Sequence, residues 1–177
     1  MDWTATIPKV EQLLNSENFD ADDIADALTA DALEFRYMAL TSLTSYQSGG
    51  SSVRLVFVSP SIYQYWANDV ELVDDNYDVV IPDNVDYVNG RVTFAADQSD
   101  GILATGYSAD IYAAAARLLD SRAAELSEDL QSFSTQNGSF TYAARSGALQ
   151  KQAALYRNRT RIIGDTHGLQ RVDVNIF

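Results

Sequence analysis

Carboxylates are the residues in this chain best supplied for chemistry. Adjacent acids occur at Asp22 and Asp23, Asp74 and Asp75, and Glu128 and Asp129. Such a pair divides into a general acid and a general base when burial or like charge pushes one pKa up and leaves the other low. Each pair here sits in a stretch already rich in acids, where solvated faces and helix caps are the ordinary use. His167, within Asp-Thr-His-Gly, is the one histidine. Asp165 lies two positions before it, but no second histidine stands ready to share a metal with it. The chain has no cysteine, so a disulfide framework, a thiolate zinc site and a cysteine nucleophile are all ruled out. A phosphate-cradling glycine loop, a G-x-S-x-G elbow and an H-E-x-x-H helix are also missing from the sequence. The expectation is a protein without catalytic residues, cofactor or metal, working through its surfaces.

Charge shows where those surfaces lie. The formal net charge is −13 over 177 residues, with a pI near 4.2, which disfavours tight binding of nucleic acid because phosphate neutralisation needs clustered Lys and Arg. Residues 1 to 100 carry 18 acidic and 4 basic side chains, whereas residues 101 to 177 carry 7 acidic and 8 basic. Between 145 and 171, Arg145, Lys151, Arg157, Arg159, Arg161 and Arg171 have Asp165 as the one local acid. An acidic first part and a basic last part suit pairing between subunits. The first residues lack a basic and then apolar leader pattern, and no apolar run approaches a membrane span, so the chain reads as soluble and unexported.

The elements that would position these groups follow from periodicity. Ile7, Val10, Leu13 and Leu14 suggest a short lead-in helix with Pro8 near its first position. From Phe19 to Tyr46, apolar residues at Ile24, Ala27, Leu28, Leu33, Phe35, Met38 and Leu43 predict one long helix capped by Asp20 or its neighbours. After the Gln-Ser-Gly-Gly-Ser-Ser run at 47 to 52 the period changes. Residues 53 to 59, 77 to 81, 85 to 88 and 91 to 95 are rich in β-branched and aromatic residues and predict strands, the last two flanking an Asn89-Gly90 hairpin turn. Ser59-Pro60-Ser61 predicts a short helical turn leading to Tyr63, Tyr65 and Trp66. Residues 111 to 133 return to helical spacing and would form a rod about 34 Å long. A second hairpin is expected around Asn137-Gly138, then a final helix over 142 to 161. Gly164 and Gly168 loosen the stretch beyond, which ends on alternating Val172, Val174 and Ile176 like a free strand or arm.

The predicted fold class is therefore α+β: mainly a helical bundle of long helices, with an inserted small β subdomain and an extended C-terminal arm. It reads as a single domain, with a helical core at 7–46 and 108–161, the β subdomain at 53–107 and the arm at 162–177.

The stretch from Arg91 to Arg159 resembles the head-tail connector (adaptor) proteins of tailed bacteriophages. The resemblance is carried by VTFAADQSDGILATGYSADIYAAAARLLDSRAAELSEDL and then SFSTQNGSFTYAARSGALQKQAALYRNR. In that family an Ala-rich helix like Tyr112-Ala113-Ala114-Ala115 through Leu118-Leu119 precedes a serine-rich hairpin. A second helix with a Tyr-Ala-x-Arg-like start follows, here carrying Leu149 and Tyr156. The N-terminal DADDIADALTADALEF also looks like the family's first helix, and together these segments span about half of the chain. The 53 to 107 region departs from the most compact members, which are nearly all helix.

The resemblance implies a homo-oligomeric ring, commonly of twelve subunits, under the portal protein in the virion neck. Such a ring bridges portal to a stopper or tail-completion protein and leaves a channel for passing DNA, after assembly in the host cytoplasm. The expected docking residues toward the portal or a neighbour are Arg157, Arg159, Arg161, Arg171, Val172, Val174, Ile176 and Phe177. The expected channel-rim acids are Asp74, Asp75 and Asp78. Two other readings stay open: a head-closure or tail-terminator protein, and a hydrolase using two carboxylates of the β region.

Overall fold

A computed structural model describes residues 1–15, 17–46, 52–98, 101–132 and 139–160. Local chemistry accounts for its first two helices. Pro8 opens α1 (Ile7–Leu14), where a missing N–H costs nothing, and Val10 and Leu14 are buried one turn apart. Asp20 caps α2 (Ala21–Ala30), its carboxylate accepting from the Asp23 N–H at 2.8 Å, with Asp22 and Asp23 favourably placed in the first turn. Ile24, Ala27 and Leu28 form the buried face of α2.

The single helix expected over Phe19 to Tyr46 is not formed. Helix α2 stops at Ala30, and the chain turns at Asp31 into β1 (Leu33–Ala39) and then β2 (Thr41–Tyr46). Within LEFRYMA, Phe35 is buried between exposed Glu34 and Arg36, a local alternation that pairing with β7 holds up to the irregularity between Phe35 and Met38. The following Thr-Ser-Leu-Thr-Ser run favours a pleated strand over a helix.

Among the described residues, seven strands make two antiparallel sheets. One has the order β1-β7-β4, using β7 (Ile102–Ser108) and β4 (Glu71–Asp74); the other has the order β2-β3-β6-β5, using β3 (Ser52–Val58), β6 (Arg91–Thr93) and β5 (Asn84–Asp86). The Asn89-Gly90 turn joins β5 to β6 as expected, with Asp86 opposite Arg91 and Gly90 at φ +59°. Residues 77 to 81 contribute only an isolated bridge, Val79 to Val73, in place of the expected strand. Ser61–Tyr63 forms a 3-10 turn.

The described residues are therefore about 40% helical and 26% strand, in four α-helices and seven strands. This corrects the expectation of a mainly helical bundle with a minor β insertion. The misread segment moves two strands, β1 and β2, from the helical account to the sheets.

Two apolar clusters hold the structure. Side chains of both sheets share the first: Phe35, Phe57, Leu72, Val92, Phe94 and Ile102 surround Trp66, whose indole N–H donates to the Tyr63 carbonyl at 2.6 Å. The second is helical. Trp3, Val10, Leu14, Ile24 and Leu28 pack onto α3 (Ile111–Ser132) through Ala115, Leu118 and Leu119. Backbone bonds from Ala67 N–H to the Tyr107 carbonyl and from Ala109 N–H to the Tyr65 carbonyl stitch the two regions at the entry to α3. The final helix, α4, spans Ser139–Arg157. Ser139 to Tyr142 belong to it, not to the second strand of the hairpin expected around Asn137-Gly138, and residues 133–138 lie outside the described residues.

Candidate interaction surfaces

Asp110 starts α3, its carboxylate accepting from the N–H groups of Tyr112 and Ala113 at 3.0 and 3.1 Å. Helix α4 lies against α3 through small and apolar residues, with Ala123 and Leu126 buried alongside Leu149 and Ala153. Ser146, itself buried, donates to the Ala123 carbonyl at 2.9 Å and stands 3.1 Å from the Ser127 hydroxyl. At the other end the Tyr112 and Tyr156 rings meet at 6.0 Å, and Arg157 pairs with Asp120.

The basic residues of α4 divide by function. Arg145 holds both oxygens of Glu17 at 2.9 and 3.0 Å, and that carboxylate is only 10% exposed. Arg157 is engaged by Asp120 yet keeps half its side-chain surface in solvent. Lys151 is exposed and makes no ion pair among the described residues. Leu155 stands one turn beyond it and is 64% exposed.

A groove of about 270 Å³ runs between α2 and α3, floored by Phe19, Ala27 and Leu118 and rimmed by Asp23, Asp26 and Glu125. Arg117 also lines it but is held bidentately by Asp31, at 2.7 and 3.2 Å. That hydrogen bond and the carboxylate charge push the guanidinium pKa further up.

The sheets present a third surface. Tyr37 and Tyr77 meet edge to face at 5.2 Å, and both hold positive φ, 49° and 65°. Tyr37 sits at a bulge of β1, its N–H donating to the Thr105 hydroxyl at 3.1 Å. Val79 and Ile81 are exposed nearby in sequence, and Val79, Ile81, Val85 and Tyr87 help line a groove of about 460 Å³ in which Glu71 is the one acid.

Of the expected channel-rim acids, Asp74 ends β4, and Asp75 and Asp78 lie in the loop that follows it. Asp74 closes it, accepting from the N–H groups of Asn76 and Asp78 at 2.8 and 3.0 Å, and Asp75 accepts from Gly101 N–H at 2.8 Å. Those two carboxylates tie down a loop through backbone N–H groups. Asp22 and Asp23 occupy the first turn of α2. Of the expected docking residues, Arg157 ends α4 and Arg159 follows it, lining a cleft with Tyr65, Asp110 and Tyr112. Arg161, Arg171, Val172, Val174, Ile176, Phe177 and His167 lie outside the described residues. Among the described residues no group of three His, Asp or Glu is placed to hold a metal ion, and no helix is long and apolar enough to cross a membrane.

Sequence reasoning missed Leu155, the α2–α3 groove and the Tyr37–Tyr77 pair. Leu155 carried a signal, since it breaks the spacing of Leu149, Ala153 and Tyr156. The other two needed β1 and the helix packing to be known. No family model, curated protein or solved structure matches the chain.

Proposed function

We propose that the chain is a structural subunit of a tailed-phage neck, a head-tail connector that forms a ring under the portal, bridges head to tail and leaves a channel for DNA. The observation that carries this reading is the α3–α4 pair. The two segments that resemble the connector family fold against each other as one unit, with Tyr112 of the first on Tyr156 of the second and Leu149 and Ala153 buried with Ala123 and Leu126. The pair is anchored to the rest of the molecule through Tyr156 and Gln152 on the Leu13 carbonyl and Arg145 on Glu17. A helical wall fixed in this way can bear load between neighbours while the loops of the sheets meet other partners.

In this reading the portal or an adjacent subunit takes up the basic end of α4 with Arg157 and Arg159, together with the segment beyond that holds Arg161, Arg171, Val172, Val174, Ile176 and Phe177. The loop of Asp74, Asp75 and Asp78 faces the DNA path, where like charge keeps a duplex from sticking. Co-sedimentation with portal-bearing heads tests the role: the protein should travel with heads that carry portal and stay behind with heads that lack it. Equal retention in both would count against it.

The two sheets favour a second reading, a head-closure or tail-terminator protein with β structure at the ring wall. Ring symmetry separates the two, twelvefold for the connector and sixfold for the alternative.

A further inference from the structure

The two flanks of the helical layer complement each other. On α3, the residues that meet α4 (Tyr112, Asp120, Ser127) and those that line the α2 groove (Arg117, Ser121, Glu125) lie roughly 130° apart around the axis at about 100° per residue. On α4, the inward residues are Ser146, Leu149 and Ala153. Ala144, Ala148, Lys151 and Leu155 form an exposed stripe on the far side. The stripe and the groove therefore face opposite ways.

Their chemistry matches. The stripe offers one apolar knob, Leu155, beside one ammonium, Lys151. Gly147 at its edge leaves open space, with no atom from outside the adjoining turns of its own helix within 4 Å of where a Cβ would stand. The groove offers an apolar floor of Phe19, Ala27 and Leu118 under the carboxylates of Asp23 and Asp26. Neither carboxylate makes an ion pair among the described residues, and neither does Lys151.

We infer that copies of this chain join head to tail, the α4 stripe of one seating in the α2–α3 groove of the next, with Leu155 on the groove floor and Lys151 against Asp23 and Asp26. A two-fold pairing of stripe on stripe would set Lys151 against Lys151. Two different patches on opposite flanks make a heterologous contact, which repeats from copy to copy and closes as a ring when the rotation allows. The inference rests on the ring reading above and names the contact that would build it.

The absence of native cysteine supplies the test. In S121C/L155C each copy carries one thiol in the groove and one on the stripe, too far around the helical layer to bridge within a chain. Mild oxidation should then give a ladder of dimers, trimers and higher species, whereas S121C or L155C alone stops at dimer. A second pair, E125C/L155C, should behave alike, and I81C/L155C should give no ladder. K151E in the pair variant should slow the ladder about three- to tenfold, and adding D26K should restore it. Melting curves matching the parent show that each variant is folded. No ladder from either groove pair, or a ladder indifferent to K151E, overturns the inference even where the protein still sediments with portal-bearing heads. A ladder from a protein that ignores the portal keeps this contact and sinks the neck role instead.

Discussion

The Tyr156 hydroxyl donates a 2.6 Å hydrogen bond to the Leu13 carbonyl oxygen, and the Gln152 amide reaches the same oxygen at 3.3 Å. Leu13 is in the last turn of α1, where carbonyls have no partner within the helix. The two side chains therefore satisfy a helix end and fix α4 on α1. Tyr156→Phe should lower stability by about 0.5–1.5 kcal/mol, the usual net worth of such a bond, with the Tyr112 ring contact kept. Urea unfolding checks this, and an unchanged midpoint would show that the bond adds nothing.

Trp3 ties the first residues to α2. Its ring is 1% exposed, and its indole N–H donates to the Thr29 hydroxyl at 3.0 Å. Trp3→Ala should cost about 3–5 kcal/mol, as for other buried aromatics cut back to alanine. Calorimetry should show a melting temperature well below the parent's.

Two glycines should respond in opposite senses to alanine. Gly90 holds φ +59°, and a Cβ there would stand 2.2 Å from the Ser59 hydroxyl oxygen and 3.0 Å from the Tyr63 carbonyl. Gly90→Ala should destabilise by about 1–3 kcal/mol. Gly147 lies inside α4 with open space around it, so Gly147→Ala should stabilise by about 0.5–1 kcal/mol through helix propensity alone. Thermal melts of both variants, run together, read the contrast.

Asp2 should make the N-terminal turn acid-sensitive. Hydrogen bonds from the Thr4 hydroxyl and then the Thr4 N–H, at 2.6 and 2.9 Å, hold its carboxylate pKa below the usual 3.8. A depressed pKa means that the charged form favours the folded state. Its contribution is complete above the unfolded value and fades as pH falls through the folded one. Asp2→Asn should therefore differ from the parent most at neutral pH, and the difference should shrink as pH falls below the usual 3.8. A difference that grows on acidification would reverse the assignment.

Much of the β region was legible because its signals are local. Asn89-Gly90 fixes a turn whatever surrounds it, and Asp20 caps a helix by reaching three residues ahead. The long α3 was legible for the same reason, with apolar residues repeating at Ile111, Ala115, Leu118, Leu119 and Leu126. Residues 31 to 46 were not, because Leu33, Phe35 and Met38 fit a helical face nearly as well as a strand face. Pairing with β7, a partner some 70 positions away in register, decided between them. Residues 77 to 81 carry strand-forming types, but Asp74 closes a tight loop in front of them and leaves room for a single bridge. Of the proposed surfaces, the basic end of α4 could be read from charge. The groove could not, because its walls come from α2 and α3, whose contact depends on the whole helical layer.

The neck-ring reading is tested most directly by electron microscopy of portal-bearing heads incubated with this protein. Class averages viewed along the portal axis should show added density as a closed twelvefold ring with an open centre, coaxial with the portal channel. Heads that gain no density, or that gain a sixfold ring, would contradict the connector assignment.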